Sequence, residues 1–244
     1  MAYYFLFPEI DSTIYSHPDR TKMNTGHDEI LEIVKEKGSS DQRYYPSRVL
    51  IKFKSQEIKD TITKIGSSKF NNGTSKVSLQ LLSSEHKNLA STLNIEAFAV
   101  SQSWNEGTGR FSNLPSSSNG VSWTYRDNDT TKTSWTTSSF GTGGGTGSID
   151  AVGITQGGGV WYTGSLFQGS QQFLSADNLD TDIDVTTIVQ KHSASICANS
   201  TYPTGIFNHG FLIKQPDSVE ENTSSSFGEM KYFSVDTHTI FPPR

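Results

Sequence analysis

Short apolar runs broken by turn-forming residues recur along the whole sequence. The clearest is Arg48-Val49-Leu50-Ile51-Lys52-Phe53, β-branched and aromatic-rich, entered through Pro46 and left through Lys54-Ser55; it predicts a strand. Residues Tyr3 to Phe7, Ser12 to Ser16, Ile30 to Val34, Val77 to Leu82 and Ile95 to Val100 have the same character in the first half. Val121 to Tyr125, Gly159 to Thr163, Ser170 to Leu174, Thr181 to Val185, Gly210 to Lys214 and Lys231 to Val235 continue it in the second. Only two stretches show a helical pattern. Gln56 to Lys64 places Ile58 and Ile62 on one face with Ile65 following, and Val185 to Lys191 has Asp184 as a cap.

Many short strands with few helices predict an all-β fold, an antiparallel jelly-roll β-sandwich with long Gly/Ser-rich loops and one or two short helices. Neither internal repeats nor a charged or Pro-rich linker divides the 244 residues, so a single domain over 1–244 is expected, with a flexible Gly-rich loop at 141–159.

Composition narrows the function. Apolar residues make up 33%, and Lys+Arg 20 against Asp+Glu 25 leaves a net charge of -5. That balance argues against nucleic acid as a partner, since a phosphate-backbone binder needs a concentrated basic surface. No run of about 18 apolar residues is present, so no membrane span is expected. Met1 to Pro8 lacks the basic start and small-residue cleavage site of a signal peptide, and Cys197 has no second cysteine to pair with. Both point to synthesis in a cytosol, where the sequons at Asn72, Asn128, Asn199 and Asn222 carry little weight.

Candidate chemistry is sparse. Gly141 to Ser148 is glycine-rich like a phosphate cradle but lacks the Gly-Lys-Ser/Thr ending and a following helix, and reads as a loop. The six histidines show no zinc-binding spacing, and no Gly-x-Ser-x-Gly elbow occurs. No catalytic residues are predicted, and the chain is read as non-enzymatic.

Asp180, Asp182 and Asp184 sit two apart, which in a strand aims three carboxylates from one face and would suit a structural calcium ion. The competing reading, a solvated strand face running into a helix cap, is preferred. No other cofactor is implied. Trp104, Trp123, Trp135 and Trp161 cluster in the middle third; exposed, they would stack on sugar rings, with Trp135, Trp161 and Tyr162 the candidate carbohydrate-binding set. Core packing is the favoured account, because Trp123 alternates with Val121 and Tyr125 in its predicted strand.

Several segments in order resemble the DNRLRE-like domains, which are related to carbohydrate-binding modules. They are Asp11-Ser12-Thr13-Ile14-Tyr15, Met23-Asn24-Thr25-Gly26, Ser47 to Phe53, the turn Ser103-Trp104-Asn105-Glu106-Gly107-Thr108, Gly120-Val121-Ser122-Trp123, Asp182 to Thr186 and His209 to Lys214. Lys231 to Arg244 is similar to versions found in structural proteins of tailed bacteriophages of cyanobacteria, in which a further strand follows the Pro-Pro segment. The resemblance implies a jelly roll with binding or assembly duties, with Arg48 and Asp236 structural and Asp11 and Asp184 holding turns. It also implies a virion location. There the chain would be a head, neck or tail decoration, adaptor or fibre-attachment subunit, with other virion proteins and further copies of itself as partners. The alternative is a carbohydrate-binding module recognising host surface glycans.

Overall fold

The run Arg48 to Phe53 forms the second half of the longest strand, and nearly all of that strand is buried on both faces. The computed structural model describes residues 3–71, 75–113, 119–129, 131–135, 144–146, 157–174, 179–197 and 205–244. Most of the 141–159 loop, together with the sequons at Asn72 and Asn199, lies outside the described residues.

In chain order the first half contains β1 (Pro8–Tyr15), β2 (Ile30–Ile33), β3 (Lys35–Lys37), β4 (Tyr44–Phe53), α1 (Ser55–Ile65), α2 (Ser67–Asn71), β5 (Ser78–Leu79), β6 (Ser83–Lys87) and β7 (Thr92–Ala99). There follow β8 (Tyr125–Asp127), β9 (Thr133–Ser134), β10 (Gly144–Thr146), β11 (Val160–Tyr162), β12 (Gln168–Leu174) and β13 (Ile183–Asp184). The last elements are α3 (Thr186–Ile196), β14 (Phe211–Lys214), α4 (Asp217–Glu220) and β15 (Glu229–Phe233).

The protein is mostly β, with antiparallel sheets and a few short helices, an all-β sandwich. The large sheet runs β1-β4-β14-β7-β12 with β3 also on β4, and a smaller one runs β2-β15-β6. β14 fills the centre: Leu212 lies opposite Leu50 of β4 and Phe98 of β7. Alternation then assigns two faces. Val49, Ile51, Phe53, Ile95, Ala97, Phe211 and Ile213 meet Leu31, Ile33, Met230 and Tyr232 of the smaller sheet, and Ile58, Ile62 and Ile188 of the helices close the same core. Leu50, Phe98 and Leu212 turn the other way, into a second core with Ile14, Val100, Val121 and all four tryptophans. The large sheet therefore lies between two apolar layers, which is why its central strands read as continuous apolar runs.

Three sequence expectations differ from the structure. Tyr3 to Phe7 forms no strand; Tyr3, Tyr4, Phe5 and Phe7 are exposed, Leu6 is partly buried against the core, and pairing with β4 begins at Pro8. Its aromatics have strand propensity, but β4 ends opposite Pro8 and leaves them no partner. Val121 to Trp123 is a buried irregular segment, with strand β8 starting only at Tyr125. Its main-chain hydrogen bonds do not form a ladder: Val121 N–H donates to the distant Asn105 carbonyl at 2.7 Å, and Ser122 N–H turns back to the Tyr125 carbonyl at 2.8 Å. Besides the two expected helices, α2 and α4 are present. Among the described residues no helix is long and apolar enough to cross a membrane.

Candidate functional site

On the tryptophan side of the large sheet, Arg48 of β4 and Lys214 of β14 are both buried among aromatic rings. The Arg48 guanidinium lies 4.6 Å from the Trp123 ring centroid and 5.1 Å from that of Trp161. Its Nε and Nη2 donate to Glu220, at 3.1 Å to Oε1 and 2.6 Å to Oε2, and Nη1 donates to the Gly158 carbonyl at 2.7 Å. Lys214 Nζ donates to Asp217 Oδ1 at 2.6 Å and to the Gln215 carbonyl at 2.8 Å, and lies 3.4 Å from Glu220 Oε2. Helix α4 supplies both acids because positions i and i+3 share a face. Gly158 has φ +80, and a Cβ there would come within 2.6 Å of the Trp123 ring and 2.7 Å of Arg48. Glycine alone lets its carbonyl reach the guanidinium. Arg48, Lys214 and Glu220 are closed to solvent and hold charge in place, while Asp217 lies at the surface.

The predicted sugar platform is not presented together. Trp135 is 4% and Trp161 5% exposed, so neither offers a ring face to solvent, while Tyr162 is half-buried against Phe167 with centroids 5.2 Å apart. Adjacent positions on β11 aim Trp161 and Tyr162 to opposite sides. Trp104 and Trp135 are anchored by their indole N–H groups, to the His209 carbonyl at 2.8 Å and the Ser122 carbonyl at 3.0 Å.

Asp180, Asp182 and Asp184 serve three separate tasks. Asp180 Oδ1 accepts the Ser83 N–H at 2.8 Å, Asp182 faces Lys76 at 3.9 Å on the surface, and Asp184 Oδ1 accepts the Thr186 N–H at 3.0 Å where α3 begins. Among the described residues no group of three or more His, Cys, Asp or Glu side chains is placed to hold a metal ion.

An open groove of about 910 Å³ crosses the outer face of the smaller sheet. It is lined by Ile30, Glu32, Glu85, Glu229 and Lys231, whose strand neighbours Leu31, Met230 and Tyr232 point into the core; Asp28, Lys35, Glu36, Tyr44 and Phe111 complete its walls. Glu32 is held by Lys231 and by the Tyr15 hydroxyl, each at 2.7 Å. Arg20 pairs with Glu36 and covers the Phe111 ring at 4.4 Å. Burial raises Asp28 above its ordinary value, and lowers Lys35 to about 8, where Nζ donates to the Val219 and Asn222 carbonyls. The groove is polar and charged on both signs, a surface suited to hydrogen-bonding a hydroxylated ligand.

No family model matches the chain, and no curated protein does.

Sequence reasoning passed over His192. It lies fully buried on α3, edge-on to Phe211 with centroids 5.7 Å apart, and neither ring nitrogen has a hydrogen-bond partner. Burial holds its pKa at about 3. A base depressed in the folded state gives stability that is present above its unfolded value near 6.5 and is lost as pH falls toward 3. His192→Leu is expected to be neutral or stabilising at pH 7, since it removes two unpaired polar atoms. Its urea midpoint is also expected to fall less than wild type between about pH 6.5 and pH 4.

Proposed function

We propose that this chain works by assembly rather than catalysis, as a structural subunit of a bacteriophage virion that decorates, adapts or attaches fibres at the head, neck or tail. One observation carries the reading. Besides Leu166, Leu174 and Phe207, the large exposed apolar side chains fall in two segments, Tyr3 (75%), Tyr4, Phe5 and Phe7 in one, and Ile240 (86%) and Phe241 in the other. The segments meet: the Arg244 guanidinium lies 4.7 Å from the Phe5 ring centroid. Phe241 packs on Phe233 of β15 at 6.0 Å, and Arg244 exchanges two main-chain hydrogen bonds with Gln80. Two exposed apolar segments joined through the Arg244–Phe5 contact suit protein neighbours, other virion proteins or further copies of the chain. The resemblance of Lys231 to Arg244 to phage structural proteins supports the same reading.

The test is proteomics of purified particles. Stoichiometric copies are expected, and absence from particles overturns the proposal. The double variant Phe5→Ser, Phe7→Ser is expected to keep its stability within about 0.5 kcal/mol by urea unfolding, yet to be missing from particles. Normal incorporation would remove the aromatic surface as the docking element.

The groove favours a second reading, recognition of host surface glycans by a carbohydrate-binding module. On that reading Glu32, Lys231, Tyr44 and Phe111 meet the sugar, rather than Trp135 and Trp161. A glycan array read with wild type and Lys231→Ala decides it; no hits for the wild type ends it.

A further inference from the structure

Asp11, Glu106 and Asp236 belong to β1, the turn after Trp104 and the stretch after β15, and they meet at one seam. The Asp11 main-chain N–H donates to Glu106 Oε1 at 3.1 Å, and Asp11 Oδ2 accepts the Val235 N–H at 2.7 Å. Asp11 is fully buried, yet its Oδ1 has no hydrogen-bond partner, and neither does the buried Oδ2 of Asp236. The charges acting on Asp11 are Glu106 and Asp236; those acting on Glu106 are Asp236 and Glu9. Every one of them is acidic. The nearby base, Lys52 of β4, pairs with Glu9 at 3.7 Å. Three carboxyls, one fully and two partly buried, thus share a seam in which, among the described residues, no countercharge acts on Asp11 or Glu106, and their side chains are not placed to hold a metal ion.

We propose that this cluster is a proton-held clasp: with at least one carboxyl protonated it fastens the 234–244 segment to β1 and the Trp104 turn, and full ionisation loosens that segment. A protonated carboxyl is a donor as well as an acceptor, so a single proton lowers the cost of burying an unpaired oxygen and removes one of three like charges. Sequence separation hides the arrangement, since Asp11 and Val235 lie at opposite ends of the sequence.

The titration behaviour agrees. Burial, reinforced by the neighbouring acids, pushes Asp11 well above its ordinary 3.8 and Glu106 from 4.5 to about 7. Carboxyls raised in the folded state give stability that is complete below their unfolded values and is lost as pH rises through the folded ones. For Glu106 that window runs from about 4.5 to about 7. Asp28 and Glu96, raised by burial, act in the same direction, and His17, His192 and His209, lowered by burial, in the opposite one. The difference between wild type and seam variants isolates the clasp.

The experiment is hydrogen exchange of the intact chain at about pH 5.5 and about pH 8.5, corrected for intrinsic rates, read at the Val235 amide relative to β15. Protection at Val235 is expected to fall at least about tenfold at the higher pH in wild type. Asp236→Asn and Glu106→Gln, each supplying a donor without charge, are expected to flatten that fall. Protection in wild type that does not change with pH overturns the clasp, as does a fall that survives in both variants. Restoration of wild-type protection at the higher pH by millimolar calcium chloride would also overturn it, by making the seam a cation site.

Discussion

Glu220→Gln is expected to lose about 3–5 kcal/mol of folding stability, because it leaves Arg48 and Lys214 buried side by side without their shared counter-ion. Glu220 is as deeply buried as its two partners, so water cannot substitute for the missing charge. The amide keeps the size of the carboxylate, which makes the loss electrostatic rather than steric. Asp217→Asn is the control. Asp217 also pairs with Lys214, but its side chain is exposed, and the expected cost is under about 1 kcal/mol. Urea unfolding at pH 7 measures both; equal costs for the two variants would mean that the buried network contributes nothing special.

Trp123→Ala is expected to cost about 3–5 kcal/mol, the range for emptying a buried tryptophan site. Trp123 seals one side of the Arg48 guanidinium and walls the turn at Gly158, so its removal opens a cavity beside a charge. Trp123→Phe gives a sharper test. The indole N–H has no hydrogen-bond partner, so phenylalanine sacrifices no polar contact and keeps a ring face toward the guanidinium. Its expected cost is below about 1.5 kcal/mol. A phenylalanine variant as unstable as the alanine variant would show that shape alone, not the aromatic face, is what the site requires.

The fold was legible wherever burial imposes a regular period. Val49, Leu50 and Ile51 announce a strand because both faces of the large sheet are covered, and Ile58 with Ile62 announces α1 because only one face of that helix is. Val121 and Trp123 misled for a different reason: apolar and polar residues alternate in sequence across Val121-Ser122-Trp123, but all three are buried in an irregular segment, and only the hydrogen bonds distinguish it from a strand. Tyr3 to Phe7 has aromatic strand propensity but no partner strand to satisfy it. The ion network was harder to see. Arg48 and Glu220 stand 172 positions apart, so no local pattern joins them; the one hint was Lys214, a charge ending the apolar run Phe211 to Ile213. The Asp180, Asp182 and Asp184 spacing was visible, but it reported caps and turns, and the acids that do converge come from segments with no shared motif.

The central position of β14 governs how the polypeptide is made. Phe211 to Lys214 pairs with both β4 and β7, whose residues leave the ribosome long before it does. Until that segment emerges, a growing chain carries two bare apolar strand edges waiting for the same insert, a condition that invites intermolecular pairing. Closure by so distant a segment raises the share of non-local contacts, which is expected to slow folding. Translation that stops short of residue 211 leaves a split sheet with no strand to join its halves.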